Sequence, residues 1–172
     1  GILSGIAKER ELLDGIRRRA DLIIDTKDLT VHALKNLITE RFEGPASPRT
    51  LLTLMSFGFK YGLPPELDFC FDVRFLVNPF FVEDLRARTG QDLAVADFVF
   101  AQPAALPYLD KIDDLMTFLL PHTQEERKSY ITVGIGCTGG KHRSVAFVEK
   151  LAERLRERNA MIRVEHRDLG KE

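Results

Sequence analysis

The chain has 172 residues, 44% of them apolar and 30% charged, with a net charge of −1 and a sequence pI near 6.5. That length suffices for one domain with a proper core plus an appendage, and the near-neutral balance excludes a global pull toward nucleic acid or anionic membrane. No apolar run reaches the roughly 18 residues of a membrane span and no leader-like segment opens the chain. The two cysteines, Cys70 and Cys137, make no disulfide framework, so a reduced, cytoplasmic protein is expected. Position 1 is glycine rather than methionine, which suggests a fragment or a processed chain.

Residues 5–19 (GIAKERELLDGIRRR) carry Ile6, Leu12, Leu13 and Ile16 at roughly helical spacing opposite a charged face. Residues 20–25 (ADLIID) predict a short buried strand. Thr30 is placed to cap a helix over 31–42 with Val31, Leu34, Leu37, Ile38 and Phe42 on one face. This unit is too small to bury its own core, so residues 1–42 are expected to be the end of an α/β domain whose body lies upstream. Segment 43–48 (EGPASP) has linker composition, leaving 49–172 as a second domain.

Residues 49–64 predict a strand running into a glycine-punctuated turn, with Ser56, Lys60 and Tyr61 as weaker contact candidates. Residues 67–75 predict a second strand containing Asp72-Val73-Arg74, with Cys70 as a small buried core residue. A short helix over 78–90 follows, with Pro79 near its start and Gly90 as its stop. Leu106, Leu109, Ile112, Leu115, Met116 and Leu119 form an apolar stripe on a helix ended by Pro121. A strand over 129–136 leads to a helix from about 141 to 158, with Val145, Val148, Leu151 and Leu155 on its apolar face. A last strand covers 161–166. This alternation predicts an α/β fold, a mostly parallel central sheet flanked by helices.

The sharpest signal is GIGCTGGKHRS at 134–144, lying between the predicted strand and helix. The first amides of a helix lack partners and carry the positive end of its dipole, and glycines allow an anion to approach closely. Lys141, His142 and Arg143 add charge at the same mouth, and a planar Arg fork suits two oxygens of one phosphate. An ATP-binding P-loop would need glycine where Ile135 stands and a hydroxyl where His142 stands, so that pattern is rejected. The spacing Cys137-x5-Arg143-Ser144 also fits cysteine-dependent phosphatases, in which Cys137 would attack, Arg143 would hold oxygens and Asp72 would serve as general acid. Against this, Gly136 stands where those enzymes usually carry histidine. Both an oxyanion-binding loop and a phosphatase remain open here, beside the plainer alternative of a tight turn with solvated charges. Asp72 and Arg74 are expected to share a face at a strand end, as ligand contacts or as a salt bridge. Asn78 is placed to bind a hydroxyl or to cap the next helix. His32, His122 and His166 are scattered and no metal is expected.

SFGFKYGLP (56–64), FDVRFLVNPFF (71–81) and GCTGGKHRS (136–144), in that order and spacing, resemble the carboxy-terminal domain of the RapZ/YvcJ family of bacterial P-loop nucleotide-binding proteins. Residues 1–42 look like the end of that family's kinase-like amino-terminal domain. The resemblance implies ATP and GTP binding through an upstream Walker motif, with no cofactor in this chain. It also implies a carboxy-terminal sensor domain binding a phosphorylated small molecule, glucosamine-6-phosphate in the RNase-adapter branch, through Thr138, Gly139, Gly140, Lys141, His142 and Arg143 with Asp72, Arg74 and Asn78 nearby. Small RNA and a ribonuclease are further implied partners; a homo-oligomer and no membrane association are expected. Two departures stand out: Phe80 replaces a histidine after Asn-Pro, and the carboxy terminus is less basic. Arg163, His166, Arg167 and Lys171 remain as RNA-contact candidates, offset by Glu165, Asp168 and Glu172.

Overall fold

The computed structural model describes residues 2–42, 50–125, 129–158 and 160–171, and the chain divides into two compact units, Gly1–Ala46 and Ser47–Glu172. The first unit holds helix α1 (Ile2–Arg17), which buries no residue, and helix α2 (Val31–Phe42). Thr30 caps α2: its Oγ1 accepts the Ala33 amide at 3.1 Å and its carbonyl accepts the Leu34 amide. The expected strand at 20–25 is irregular, because a strand needs a paired neighbour and no strand lies in this unit among the described residues. The predicted linker 43–48 falls outside the described residues.

The second unit is built on four parallel strands in the order β2-β3-β1-β4. These are β1 (Leu51–Gly58), β2 (Phe69–Asp72), β3 (Tyr130–Cys137) and β4 (Met161–His166). The two central strands are apolar almost throughout, as burial on both sheet faces requires: Leu52, Leu54, Phe57, Val133 and Ile135 are fully buried. Helix α3 (Glu83–Arg86), α4 (Leu93–Phe100), α5 (Ala105–Glu125) and α6 (Arg143–Glu157) supply the flanking layers. The predicted face of α6 is buried as expected, with Val145, Val148, Leu151 and Leu155 in the core. No helix among the described residues is long and apolar enough to cross a membrane.

Several elements depart from the sequence reading. The expected helix over 78–90 is a 3-10 turn (Pro79–Phe81) followed by one turn of α3. Helix α4 was not anticipated. Pro121 does not end α5, which continues to Glu125; the Thr123 hydroxyl donates to the Leu120 carbonyl at 2.8 Å in the stretch where proline removes an amide. Leu106 and Leu115 of the predicted stripe are exposed, while Ala105, Leu109, Ile112 and Met116 are buried. Cys70 is exposed rather than buried, because alternation on the edge strand β2 turns Phe69 and Phe71 toward the core and Cys70 away from it.

Gly90 stops no helix; it lets two backbones meet. Its amide donates to the Lys141 carbonyl at 2.9 Å, and a Cβ there would sit 2.1 Å from the His142 carbonyl oxygen and 2.4 Å from the Ala146 amide nitrogen. Because those atoms are backbone, Gly90→Ala is expected to cost about 3 kcal/mol. Thermal unfolding tests this, and a loss below about 1 kcal/mol would contradict it.

Candidate functional site

All four strands run the same way, so their carboxyl ends form one rim, where register sets Gly58 beside Cys137, Asp72 beside Gly136, and Ser56 beside His166. From β1 the chain crosses toward β2, whereas from β3 it crosses the other way toward β4. This reversal between β1 and β3 opens the crevice in which α/β sheets bind ligands. The 138–142 loop leaves β3 at that point and lies on the turn leaving β1. The Lys60 amide donates to the Thr138 carbonyl at 3.2 Å, and a Cβ on Gly58 would lie 2.6 Å from the Gly139 carbonyl carbon.

The four glycines of the motif do different work. Gly134 and Gly136 make room for packing: a Cβ would meet Leu67 at 2.4 Å in the first case and the Phe57 and Phe59 rings at 2.5 Å in the second. Gly140 has φ +75°, a conformation costly for other residues. Gly139 alone faces open space, since a Cβ there would meet nothing closer than the Lys60 Cε at 3.8 Å. Among the described residues the amides of Gly139, Lys141 and His142 have no hydrogen-bond partner, and no side chain caps α6, whose preceding residue His142 adopts φ −111° and ψ −84°.

Cys137 is buried; its Sγ accepts the Gly140 amide at 3.2 Å and lies 3.1 Å from the Ser144 hydroxyl. Arg143 is 3% exposed. Its Nη1 donates to the carbonyls of Arg74 (3.0 Å) and Leu76 (2.7 Å) and its Nη2 to Thr138 Oγ1 (3.1 Å), so most of the fork staples the loop to the 74–76 segment. Nε is buried without a partner among the described residues. Burial lowers the Arg143 pKa, opposed by Cys137 and Asp72. Burial also lowers that of His142, whose neutral ring donates from Nε2 to the Arg86 carbonyl at 3.2 Å. Lys141 Nζ reaches the same carbonyl at 3.3 Å. Thr138 is exposed, and with its oxygen accepting from Arg143 it keeps a proton to donate.

Asp72 and Arg74 come together as a bidentate ion pair, the shortest contact 2.6 Å, both side chains about half-exposed. Hydrogen bonding to Arg74 lowers the Asp72 pKa, so the carboxylate is ionised at neutral pH and holds no proton for a leaving group. The Arg74 guanidinium stacks over Phe59 at 4.0 Å. Asn78 caps the 3-10 turn, accepting the Phe80 amide at 3.4 Å. Phe80 is about half-exposed, with the Arg86 guanidinium over its ring.

The four tail candidates sit in internal pairs. Arg163 bonds Glu165 (2.7 Å); His166 bridges Ser56 Oγ (2.8 Å) and Glu149 (3.0 Å); Arg167 and Lys171 both hold Asp168 (2.6 and 2.8 Å). Ser56 is fully buried, so the Ser56–His166–Glu149 chain cannot meet a substrate. Burial would raise the Asp168 pKa, but hydrogen bonds from Arg167, the Gly58 amide and Lys171 bring it down to about 2. A separate groove of about 540 Å³ runs along α4 and α6, lined by Leu93, Phe100, Ala146 and Lys150 among others, and none of residues 137–143 lines it.

Sequence reading missed Gly58 and Asp168. It underrated Lys60, which is exposed beside Gly139. Each needed a contact across about 80 positions or more, and the only local signal was the pair of glycines in FGFKYG. The two thiols are expected to behave oppositely. Cys70 reacts with an aromatic disulfide reagent in the native protein, slowly because the partial burial of its thiol and the Asp72 charge raise its pKa, while Cys137 reacts only after denaturation. Two equivalents released natively would contradict the placement of Cys137.

Comparison with known proteins adds a family. Residues 50–170 match the model of the RapZ C-terminal domain, and residues 2–46 match that of the RapZ-like N-terminal domain. A nucleotide-binding protein of Mycolicibacterium vanbaalenii is 50% identical over 171 residues, covering 99% of this chain and 54% of that protein. Proteins of the same name from Mycobacterium avium and Anaeromyxobacter sp. (strain K) are also 50% identical, over 175 and 168 residues and 59% and 57% of their lengths. The chain thus spans a little over half the length of the curated relatives it matches.

Proposed function

Because the chain belongs to the RapZ family, we propose that residues 50–170 form a sensor domain that holds the phosphate of a small metabolite, an amino-sugar phosphate such as glucosamine-6-phosphate, without cleaving it. The observation that carries this reading is the uncapped loop at the β1–β3 crevice, where three unpartnered amides lie beside the exposed Thr138 and the open face of Gly139, with the Lys60 side chain alongside. Backbone amides and cations of this kind favour a compact anion. Asp72 and Arg74 adjoin the loop and, with Asn78 further along the same segment, would read the sugar end. Phe80, which stands where the adapter branch has a histidine after Asn-Pro, would make the sugar contact particular to this chain.

Two observations weigh against a Cys137-dependent phosphatase: the Cys137 thiol is 2% exposed, and the Asp72 carboxylate is engaged in a bidentate pair with Arg74. The first 46 residues belong to a nucleotide-binding half that would take ATP or GTP upstream. An RNA-adapter role draws no support from the tail cations, which are committed to internal pairs. Calorimetric titration with glucosamine-6-phosphate, combined with an assay for released inorganic phosphate, tests the proposal. Saturable binding and no release are expected. Turnover that vanishes in Cys137→Ser would overturn it in favour of the enzyme.

A further inference from the structure

We infer that Asp168 is a positioning residue for the anion loop, a clamp that sets the Gly139–Gly140 backbone before a ligand arrives. The inference rests on the phosphate-binding reading and adds to it a residue outside the loop that governs its affinity. The Asp168 carboxylate is 1% exposed. It accepts the Gly58 amide at 2.8 Å, Arg167 Nε at 3.0 Å and Nη2 at 2.6 Å, and Lys171 Nζ at 2.8 Å. Arg167 Nη2 also reaches the carbonyls of Gly58 (3.3 Å) and Gly62 (2.8 Å). The turn after β1 and the turn after β4 are thereby joined through one carboxylate.

The loop rests directly on that joint. A Cβ on Gly140 would lie 2.7 Å from the Gly58 nitrogen and 3.0 Å from the Asp168 Cβ, and one on Gly58 would lie 2.9 Å from the Gly140 nitrogen. With so little slack, the orientation of the Gly58 peptide fixes where Gly140 can sit. That orientation is set by the bond to Asp168, because a buried amide without an acceptor is costly and turns toward another one. The clamp keeps its charge at neutral pH: the Asp168 pKa is down to about 2. A loop ordered in advance does not spend ligand affinity on its own ordering.

The test uses the full chain. Asp168→Asn preserves shape but removes the charge, and binding of glucosamine-6-phosphate and of inorganic phosphate, measured by calorimetry, is expected to weaken about tenfold. Lys171→Ala, which removes one half-exposed support, is expected to weaken binding about threefold in the same direction. In the ligand-free protein the amide resonances of Gly139 and His142, neither of which bonds to Asp168, move in Asp168→Asn. Leu109→Ala, a fully buried core change, lowers the melting temperature but leaves affinity and these resonances unchanged, separating positioning from stability. If wild type binds and Asp168→Asn binds equally well, the inference is overturned while the phosphate reading stands. Should wild type bind neither anion, the phosphate reading falls, and unmoved Gly139 and His142 resonances would then overturn the clamp as well.

Discussion

Gly139→Val chain remains folded and loses glucosamine-6-phosphate binding by about 100-fold or more. Gly139 is the one glycine of the loop with open space above it, its nearest neighbour being the flexible end of Lys60 at 3.8 Å. A side chain there meets no backbone and needs no left-handed conformation, so thermal stability is expected to hold near wild type. What it does fill is the volume an anion must occupy to reach the unpartnered amides of Gly139, Lys141 and His142. Calorimetry and thermal unfolding on the same preparation check both halves. A stable variant with wild-type affinity would remove the loop from the site.

Arg143→Ala, by contrast, lowers stability by about 3–5 kcal/mol, a fall in melting temperature on the order of 10 °C. The side chain is almost wholly buried, and its removal strands the Arg74 and Leu76 carbonyls and leaves a cavity. Arg143→Lys does not restore it, because an ammonium cannot reach two carbonyls and a hydroxyl in one plane. Any loss of ligand binding in Arg143→Ala therefore travels through the fold. An unchanged melting temperature would show that the guanidinium is free for a ligand after all.

Where the hydrophobic period was strong, the elements were legible: α2 with its Thr30 cap and the β4 strand begin and end where the residues predict. Helix α4 was not, since LAVADFVF is apolar nearly all round and shows no 3.6-residue contrast. The 20–25 segment has strand composition, yet composition cannot supply a neighbouring strand. In the site, the glycine loop could be read as a strand–helix turn for an anion, and Asp72 with Arg74 as a pair. The division of labour among glycines could not, because Gly134 and Gly136 answer to Leu67, Phe57 and Phe59. Nor could the burial of Arg143, whose acceptors lie nearly 70 positions away.

Phe80, Phe81, Phe75 and Val77 stand exposed along the segment that Arg143 anchors. They give that segment an apolar surface.

Titrating the nitrogen-labelled chain with glucosamine-6-phosphate, and following its amide resonances, asks whether the backbone at 138–142 holds the phosphate. Saturable shifts are expected, largest at Gly139, Lys141 and His142, with smaller ones at Lys60 and Arg74. Saturable shifts centred on the α4–α6 groove, with the loop amides still, would contradict it.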